Sequence, residues 1–348
     1  MTMNHQYISR ATGGIVDEQL IGDRSITLLY HNLRERAPSL FSALTSKRMS
    51  SVLGYLHFDI NLPLPGRRGL ALLQRMGVNV QECLAPHESF TTPRQVFERQ
   101  IRYWQCRPME AEAATVVSPA DAKVLIGTLD DIPELFIKEK FFSAEELLGP
   151  TSVWKDRFAG GDFAICRLTP DKYHYNHVPV SGRVADIYTV DGDCHSCNPE
   201  AQIALASIHA KNRRVVTIID TDVDGGTQVG LVAMVEVVAL MIGEIVQCYS
   251  ATAYEAPQPV VTGLFVNKGQ PKSLYRPGSS TDILLFQRDR IEFSEDLRAN
   301  LVRSDVQSRY SAGLGRPLVE TDVAVRSTIA LRRSTPPLAQ SSFLREAL

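Results

Sequence analysis

The sequence has no excess of basic residues, no cluster of cysteines and no apolar run of membrane-spanning length that is free of acids. It carries 37 Lys and Arg against 39 Asp and Glu over 348 residues, which gives no indication of a nucleic-acid partner. Its six cysteines are scattered, unlike those of small secreted disulfide scaffolds. The start, MTMNHQYISRATGG, lacks a basic segment followed by an apolar one, so we expect no signal peptide and a cytoplasmic location.

One apolar segment, VGLVAMVEVVALMIGEIV at 229–246, is long enough to suggest a transmembrane helix. However, Glu236 lies in its middle, where an acidic side chain costs about 2.5–3.5 kcal/mol on membrane-insertion scales. Glu244 follows near its end. The valine-rich composition fits two buried strands joined tightly. We therefore predict strands here and no transmembrane helix, and leave peripheral membrane contact open.

The character of the chain changes along its length. Up to about residue 95, apolar residues recur every three or four positions, and RRGLALLQRMGV is a basic amphipathic stretch that suits either a packed surface helix or a face on a bilayer. From about 115, β-branched runs broken by Gly, Asp and Pro are typical of an antiparallel sheet. The sequence predicts an α+β protein, with a mostly helical region at 1–95 docked on a β-rich, mainly antiparallel catalytic domain at 96–348.

Two short motifs resemble metal or redox sites. DTDVDG at 220–225 begins like a calcium loop, but the twelfth position is Leu231 rather than the required Glu, so we predict an acidic hairpin turn. CHSC at 194–197 has no second ligand pair at zinc spacing. It also follows a turn instead of opening a helix, as a redox motif would. We expect no metal.

Three further stretches together suit the activation of a nucleophile. VVSPADAKV contains Asp121, TPDKYHYNHVPVSG contains His174 and His177, and SLYRPGSSTDILLF contains Gly278 and Ser279 before an apolar run. A base that takes a hydroxyl proton, oriented by a carboxylate, activates a serine in this way. The residues alone leave two interpretations of the Gly-Ser pair: a tight turn, or a bond that the protein cuts itself.

Four segments, in order over roughly residues 90–290, resemble the pyruvoyl-dependent phosphatidylserine decarboxylase family. FERQIRYWQCRPME is similar to its Phe- and Arg-rich segment ending in Arg-Pro, and VSPADAKV to its Pro-Ala-Asp-Gly motif. DKYHYNHVPVSG resembles Tyr-His-Arg-x-His-x-Pro, and VNKGQPKSLYRPGSSTDILLF resembles the Lys-Gly…Gly-Ser-Thr/Ser segment. Each match alone is weak, but the four share the order of the family. The resemblance implies a self-processing proenzyme.

The resemblance further implies an autocatalytic serinolysis, in which Ser279 attacks the carbonyl of Gly278. The cut would leave a β chain of 1–278 and an α chain of 279–348, held together by the fold. Ser279 would become a covalent pyruvoyl group, whose ketone forms a Schiff base with the substrate amine and acts as an electron sink in place of pyridoxal phosphate. The implied reaction converts phosphatidylserine to phosphatidylethanolamine and CO2.

The resemblance also assigns roles to the polar residues. Asp121, His177 and Ser279 would drive the cut, and His174 would serve the decarboxylation by protonating the product. No metal is implied. The implied partners are the substrate and, through the N-terminal helices, a membrane surface. A homodimer is compatible with the family.

Three departures from the family pattern bear on the substrate. Ala122 follows the motif Asp in place of Gly, Tyr175 replaces the Arg between the histidines, and the junction reads Gly-Ser-Ser. The missing Arg weakens recognition of a phosphate, which favours a soluble pyruvoyl decarboxylase of a free amino acid, for example an aromatic one, as the alternative. Gly-Ser-Ser also occurs in family members of that kind. A second alternative is a binding homologue that is never processed.

Overall fold

The computed structural model describes residues 4–20, 22–59, 73–74, 77–129, 144–205, 207–240, 244–277 and 280–333. The predicted cleavage pair, Gly278 and Ser279, lies outside the described residues, as does most of the stretch RRGLALLQRMGV. The predicted α+β class is confirmed, because helices and a large, mainly antiparallel sheet are both present. The division of the chain at residue 95 stays a prediction.

The strands of the described residues form one large and two small sheets. They are β1 (Gln6–Ser9), β2 (Ile15–Asp17), β3 (Thr115–Val117), β4 (Ala122–Thr128), β5 (Asp162–Leu168), β6 (Tyr175–His177), β7 (Gly182–Val190), β8 (Arg214–Asp220), β9 (Leu231–Val237), β10 (Ile245–Gln247), β11 (Phe265–Val266), β12 (Pro271–Tyr275), β13 (Ser280–Phe286), β14 (Ile291–Phe293), β15 (Thr321–Val323) and β16 (Thr328–Arg332).

The helices of the described residues are short. They are α1 (Asp23–Thr27), α2 (Arg34–Arg36), α3 (Pro38–Thr45), α4 (Lys47–Phe58), α5 (Pro93–Phe97), α6 (Tyr103–Cys106), α7 (Ala144–Leu148), α8 (Pro199–Ala204), α9 (Ile208–Lys211), α10 (Glu295–Leu301) and α11 (Arg309–Leu314). A π-helical turn covers Leu28–Leu33, and 3-10 turns cover Val80–Glu82, His87–Ser89 and Lys155–Phe158. Helix α5 starts from a capping box between Thr92 and Gln95.

In the described ranges, the large sheet has the order β11-β7-β8-β9-β13-β5-β4-β15-β1-β2. Its β13 is central and pairs antiparallel with both β5 and β9. All seven residues of β13 are buried. Because side chains alternate between the faces of a strand, Leu284 and Phe286 pack into one apolar cluster and Ile283 and Leu285 into another. The strand that begins next to the predicted cut is therefore fixed on both edges and both faces.

The two small sheets, among the described residues, have the orders β10-β12-β6 and β14-β16-β3. The segment at 229–246 forms β9 and β10, so the prediction of strands is confirmed. These strands lie in different sheets rather than side by side. The acidic turn at 220–225 joins β8 to β9 as predicted, with Asp220 paired to Leu231.

The N-terminal region is helical from α1 to α4, but its first strands belong to the large sheet. Strand β1 pairs parallel with β15, more than 300 residues away in sequence, and antiparallel with β2. Short strands whose partner is so distant leave little local signal in the sequence. No helix in the described part of the chain has the length and apolar content needed to cross a bilayer.

Candidate active site

The predicted cleavage pair falls between β12 and β13, and the residues on either side fix its surroundings. Strand β12 ends at Tyr275, whose backbone N–H donates to the carbonyl oxygen of His174 at 3.1 Å. The Tyr275 hydroxyl donates to the carbonyl oxygen of Thr281, on β13, at 3.0 Å. Tyr275 therefore links the end of β12 both to the start of β13 and to the backbone of His174.

His177, at the end of β6, is fully buried and has both ring nitrogens occupied. Its Nδ1 lies 2.9 Å from the carbonyl oxygen of Gly269, and its Nε2 lies 3.0 Å from the Tyr173 hydroxyl. Because a carbonyl oxygen only accepts, Nδ1 carries the proton and Nε2 presents its lone pair to Tyr173. Burial, assisted by the positive charge of Arg326, lowers the pKa of His177 to about 3.

His174 is equally buried but bonds differently. Its ring stacks on Phe97 of α5, with the centroids 3.5 Å apart. The backbone of Lys172 favours the protonated ring slightly, but neither ring nitrogen has a hydrogen-bond partner among the described residues. Burial and then the positive charge of Arg99 lower its pKa to about 3. His174 is thus a neutral imidazole with free nitrogens.

Asp121 is held as a carboxylate by Arg107, just after α6. The Arg107 guanidinium donates to Oδ1 at 2.9 Å and to Oδ2 at 2.8 Å, and the backbone N–H of Val325 donates to Oδ1 at 2.8 Å. Burial alone would raise the pKa of Asp121, but Arg107 lowers it below its usual value. In the described residues no hydrogen bond joins Asp121 to His177. The carboxylate acts on His177 through its charge, which favours the imidazolium.

A buried polar cluster lies where β9, β12 and β13 meet. Glu236 accepts from Lys272 at 2.8 Å and from the Ser273 hydroxyl, which explains how an acid is accommodated in the apolar segment at 229–246. Asp282 faces Glu236 across the strand pair. Its Oδ1 lies 2.7 Å from the Tyr275 hydroxyl, whose single proton is shared between this atom and the Thr281 carbonyl. Burial, together with the charge of Glu236, raises the pKa of Asp282 well above its usual value.

Several buried polar atoms near the start of β13 have no hydrogen-bond partner within the described residues. Besides the His174 nitrogens they include Ser280 Oγ, Thr281 Oγ1, Asp282 Oδ2 and Asn176 Oδ1. Buried polar atoms are nearly always bonded, so a group of exceptions marks a place where another group is expected. Ser280, Thr281 and Asp282 directly follow Ser279 in sequence, and Asn176 lies on β6, which pairs with β12. This group of atoms fits a reactive group at the start of β13.

Comparison with known proteins decides the family. The profile described as phosphatidylserine decarboxylase matches residues 94–309. The chain belongs to the phosphatidylserine decarboxylase family. The phosphatidylserine decarboxylase proenzyme of Chlamydia felis is 30% identical over 322 residues, which cover 90% of this chain and 99% of that protein. The proenzyme of Fusobacterium nucleatum is 27% identical over 309 residues, covering 88% and 95%.

A plant relative adds to this pattern. The phosphatidylserine decarboxylase proenzyme 2 of Oryza sativa subsp. japonica is 34% identical over 241 residues, which are 68% of this chain and 36% of that protein. The predicted resemblance is confirmed, and the chain is an enzyme of the carboxy-lyase class.

Two departures from the family pattern are accommodated without strain. Ala122 opens β4, and the residues with positive φ do not include it, so no glycine is needed there. Tyr175 stacks on Tyr173 with centroids 5.6 Å apart and meets Tyr254 edge-on at 5.1 Å. Tyr175, which stands where the family pattern has Arg, is therefore part of an aromatic cluster with Tyr173 and Tyr254.

Sequence reasoning missed the residues that surround the two histidines. Tyr173 lies within the quoted histidine motif and Arg107 within the Arg-Pro segment, so their places in the family pattern were the available signal. Phe97 lies in the first quoted segment as well. Tyr254 carries no sequence signal, because only the fold brings its loop to Tyr173, with the two hydroxyl oxygens 2.6 Å apart.

One cluster among the described residues has metal-ligand atoms close together, namely His5, Glu18 and Glu320. His5 Nδ1 accepts from the backbone N–H of Arg309 at 3.1 Å, so Nε2 carries the proton and donates to Glu320 at 2.9 Å. Arg167 donates to both carboxylates. The cluster is an ion-pair network that ties β1, β5 and the start of β15 together, and its histidine nitrogen is not free for a metal.

Proposed function

We propose that the chain is a self-processing phosphatidylserine decarboxylase, with a pyruvoyl group made from Ser279. The observation that carries the proposal is the family match over 94–309, which includes all the residues that the motifs assign. Its relatives are named as proenzymes of phosphatidylserine decarboxylase. Within the part of the chain that the structure describes, the nitrogens of His174 and several polar atoms near β13 have no hydrogen-bond partner, which supports a reactive group at position 279.

The cut begins when Ser279 Oγ attacks the carbonyl carbon of Gly278 and its proton passes to His177. The bond between the Gly278 carbonyl carbon and the Ser279 nitrogen then breaks as that nitrogen takes the proton back from His177, so the amide becomes an ester between Gly278 and the Ser279 side chain. Loss of the α proton then breaks the ester Cβ–O bond, which releases a carboxylate on Gly278 and leaves dehydroalanine at 279. Water converts the dehydroalanine to the pyruvoyl ketone and frees ammonia, so atoms and charges balance.

The sheet supports the proposal that both products stay together. Strand β13, from the new α chain, lies between β9 and β5 of the β chain, and β15 lies between β4 and β1. In the third sheet β16 pairs with β3. The backbone N–H of Val325 also bonds Asp121 across the two chains. Separating the products would break these ladders, so we expect a stable two-chain enzyme.

In the decarboxylation, the ketone of the pyruvoyl group supplies the electron sink. His174 is proposed to deliver the proton that replaces the lost CO2. Its nitrogens are free among the described residues, and a buried imidazole can take and return a proton at a fixed place. Phe97 covers one face of the ring, which keeps bulk water from that face.

A phospholipid substrate requires access to a membrane, and α4 offers a suitable surface. Met49, Val52, Tyr55 and Leu56 are exposed, with Val52 at 51% and Tyr55 at 60%. Their spacing places them along one side of the helix, and Lys47 and Arg48 begin it. Apolar side chains with basic residues alongside are typical of helices that lie on an anionic bilayer. The cytoplasmic location and the homodimer remain predictions.

The aromatic cluster favours a second substrate class. Tyr175 stands where the family has Arg, and it contacts other aromatic rings next to His177. A free aromatic amino acid would stack on such rings, whereas a phosphate would gain nothing from them. We keep decarboxylation of a free amino acid as the alternative on this observation.

Intact mass spectrometry of the purified protein under denaturing conditions tests the proposal. Two chains that divide after Gly278, with a hydroxylamine-reactive N-terminus on the smaller one, are the expected result. Matured protein is then given phosphatidylserine in detergent micelles and, separately, a panel of free amino acids. Ethanolamine lipid supports the main proposal, an amine supports the alternative, and a chain that stays uncut in every host and at every pH contradicts both.

A further inference from the structure

An arginine without an acidic partner lies in the surroundings of His177. The Nη1 atom of Arg326 donates to the carbonyl oxygens of Tyr103 and Arg107 at 3.1 and 2.8 Å, whereas its buried Nε has no hydrogen-bond partner within the described residues. Burial lowers the pKa of Arg326, and the groups that oppose this effect are tyrosines and a cysteine rather than a carboxylate. Charged side chains that leave water are normally paired, so this cation needs another explanation.

The backbone of this arginine is unusual as well. Arg326 has a φ of 72°, in the region that residues other than glycine rarely adopt. It is the third residue of a turn in which the Ser327 N–H donates to the Ala324 carbonyl at 3.2 Å, and its own N–H donates to the Ser118 carbonyl at 2.9 Å. Glycine is the common residue at a turn position with positive φ. Backbone strain at an arginine instead points to a function of its side chain.

Two residues connect the Arg326 side chain to the His177 ring. Gly269 accepts the Nδ1 proton of His177 at 2.9 Å, and Arg326 Nε lies 3.2 Å from the point where a Cβ on Gly269 would stand. The guanidinium carbon lies 4.9 Å from the centre of the Tyr103 ring. That ring meets the imidazole edge-on, with the centroids 4.7 Å apart. Arg326 therefore packs on both the hydrogen-bond acceptor and the aromatic ring that surround His177.

We propose that Arg326 is a positioning residue for His177, and that its positive charge holds the imidazole as the neutral base that the cut requires. The inference rests on the proposed self-cleavage. A general base must be unprotonated before it can take the proton of a hydroxyl. In a buried site a single nearby charge has a large effect on this state, because little water screens it.

The charged groups around His177 act in opposite directions. Arg326 makes the largest charge contribution against the imidazolium and Arg107 a smaller one, while the Asp121 carboxylate favours it. Arg107 is itself paired with Asp121, so these two largely offset each other. The Tyr173 phenol that bonds Nε2 is neutral, because burial raises its pKa well above its usual value. Arg326 is thus the cation near the ring that no described carboxylate compensates.

Neutral and charged substitutions test this role on a chain that cannot be cut. In the Ser279→Ala proenzyme with isotope-labelled histidines, NMR titration from pH 7 to 3 gives the pKa of His177, whose signal is assigned by its loss in His177→Gln. We expect Arg326→Gln to raise this pKa by about 1, the effect of removing one nearby charge. Arg326→Lys keeps the charge and should restore most of the wild-type value. Arg332→Gln, at an exposed arginine on β16, is the matched control and leaves the pKa unchanged.

Arg326→Gly separates the charge from the structural contribution of the side chain. Glycine suits a φ of 72°, so this variant relieves backbone strain but also removes the cation. We expect the pKa of His177 to rise as it does in Arg326→Gln. Should Arg326→Gln fail to fold, Arg326→Gly carries the test alone.

The pH dependence of the cut gives a second readout in chains that keep Ser279. The proenzyme is refolded from urea at a series of pH values, and the smaller chain is followed by intact mass. Because a base with a raised pKa is protonated at higher pH, the two neutral variants should lose the cut at a pH about 1 higher than wild type and Arg326→Lys.

The outcomes for this inference and for the proposed function are distinguishable. Neutral variants that titrate and cut like wild type, or an Arg326→Lys chain that shifts as far as Arg326→Gln, would overturn the inference and leave the proposed function intact. A wild-type chain that never cuts would contradict the proposed function. The titration of the uncut chain would then still decide whether Arg326 holds the His177 ring neutral.

Discussion

The surroundings of the two histidines differ more than their sequence spacing suggests. His174 and His177 stand three residues apart, both fully buried, and burial lowers the pKa of each to about 3. On the His177 side, hydroxyl and carbonyl groups bond both ring nitrogens. On the His174 side, the ring lies against Phe97 and its nitrogens are unbonded in the described residues.

The difference shows that equal burial and an equally lowered pKa are compatible with different hydrogen bonding of the two rings. An imidazole whose tautomer is fixed by its neighbours transfers a proton along a set path, which suits a reaction that the chain performs once on itself. An imidazole without bonded neighbours can approach a group that comes and goes, which suits turnover of a substrate. Substitutions at the two histidines and at the residues around them test this contrast.

Replacing each histidine by asparagine should separate the two reactions. We expect His177→Asn to leave the chain uncut, because the substitution removes the proposed base. We expect His174→Asn to be cut but to decarboxylate about 10²–10⁴ times more slowly, the usual effect of losing a general acid or base. Intact mass and CO2 release from the matured protein measure the two steps. An uncut His174→Asn beside a processed His177→Asn would reverse the assignment.

Removing the Phe97 ring, which covers His174, should change the surroundings of His174 and leave those of His177 unchanged. Phe97→Ala opens a cavity in a fully packed site, and we expect a loss of about 3–5 kcal/mol in the free energy of unfolding. Water then reaches His174, so its pKa rises from about 3 towards its usual value, and the pH profile of decarboxylation moves with it. Urea unfolding and rate–pH profiles measure both.

Phe158→Ala is the control for that prediction. Phe158 is equally buried but lies in the apolar cluster on the opposite face of the large sheet. It should cost similar stability and leave the pH profile unchanged. A shift of the profile in both variants would mean that loosened packing in general, rather than exposure of His174, moves the pKa.

Acid should destabilise the fold through both histidines equally. Each has a folded pKa of about 3 and an unfolded one of about 6.5, so the unfolded state binds more protons between these values. Stability is complete above about pH 6.5 and falls as pH drops towards 3, by about 1.4 kcal/mol per pH unit for each histidine. Burial also lowers the pKa of His209 to about 3, so this histidine should make a third contribution to the loss of stability in acid.

Urea midpoints between pH 6 and 4.5 measure this slope, and single glutamine substitutions of His174 and His177 separate the shares. Each substitution should lower the slope of the unfolding free energy against pH by the contribution of one proton. If one substitution lowers the slope more than the other, burial does not hold the two rings neutral to the same extent, and the comparison of the two histidines fails. A slope of zero in the wild type would mean that neither ring is held neutral.

Changes on α4 should leave both histidine sites intact and alter only membrane contact. Val52→Ser and Tyr55→Ser each remove exposed apolar surface, and we expect roughly fivefold weaker binding per side chain to vesicles that contain phosphatidylserine. Cutting and stability should stay within about 0.5 kcal/mol of wild type. Val153→Ser, at a site 80% exposed outside the N-terminal helices, is the control and should bind normally. Equally weakened vesicle binding in all three variants would mean that α4 is not the surface that contacts the membrane.

The sequence predicted those parts of the fold whose signals are local. The strands at 229–246 and the turn at 220–225 follow from valine-rich runs and acidic turn residues, and both are confirmed. The pairing of β1 with β15 was not predictable in this way, because it joins the two ends of the chain. The site shows the same division. Local motifs predicted Asp121, His174 and His177 as site residues, whereas the contacts of Tyr254 with Tyr173 and of Phe97 with His174 depend on the fold.

Residue types at fixed spacing along the chain were enough to predict the family, the α+β class and the residues that carry the proposed chemistry. Which histidine nitrogens are bonded depends on the fold. The fold also decided that Arg107 rather than a histidine holds Asp121, and that Tyr254 reaches Tyr173. Hydrogen bonds and burial depend on segments distant in sequence, and no local pattern encodes the distances between them.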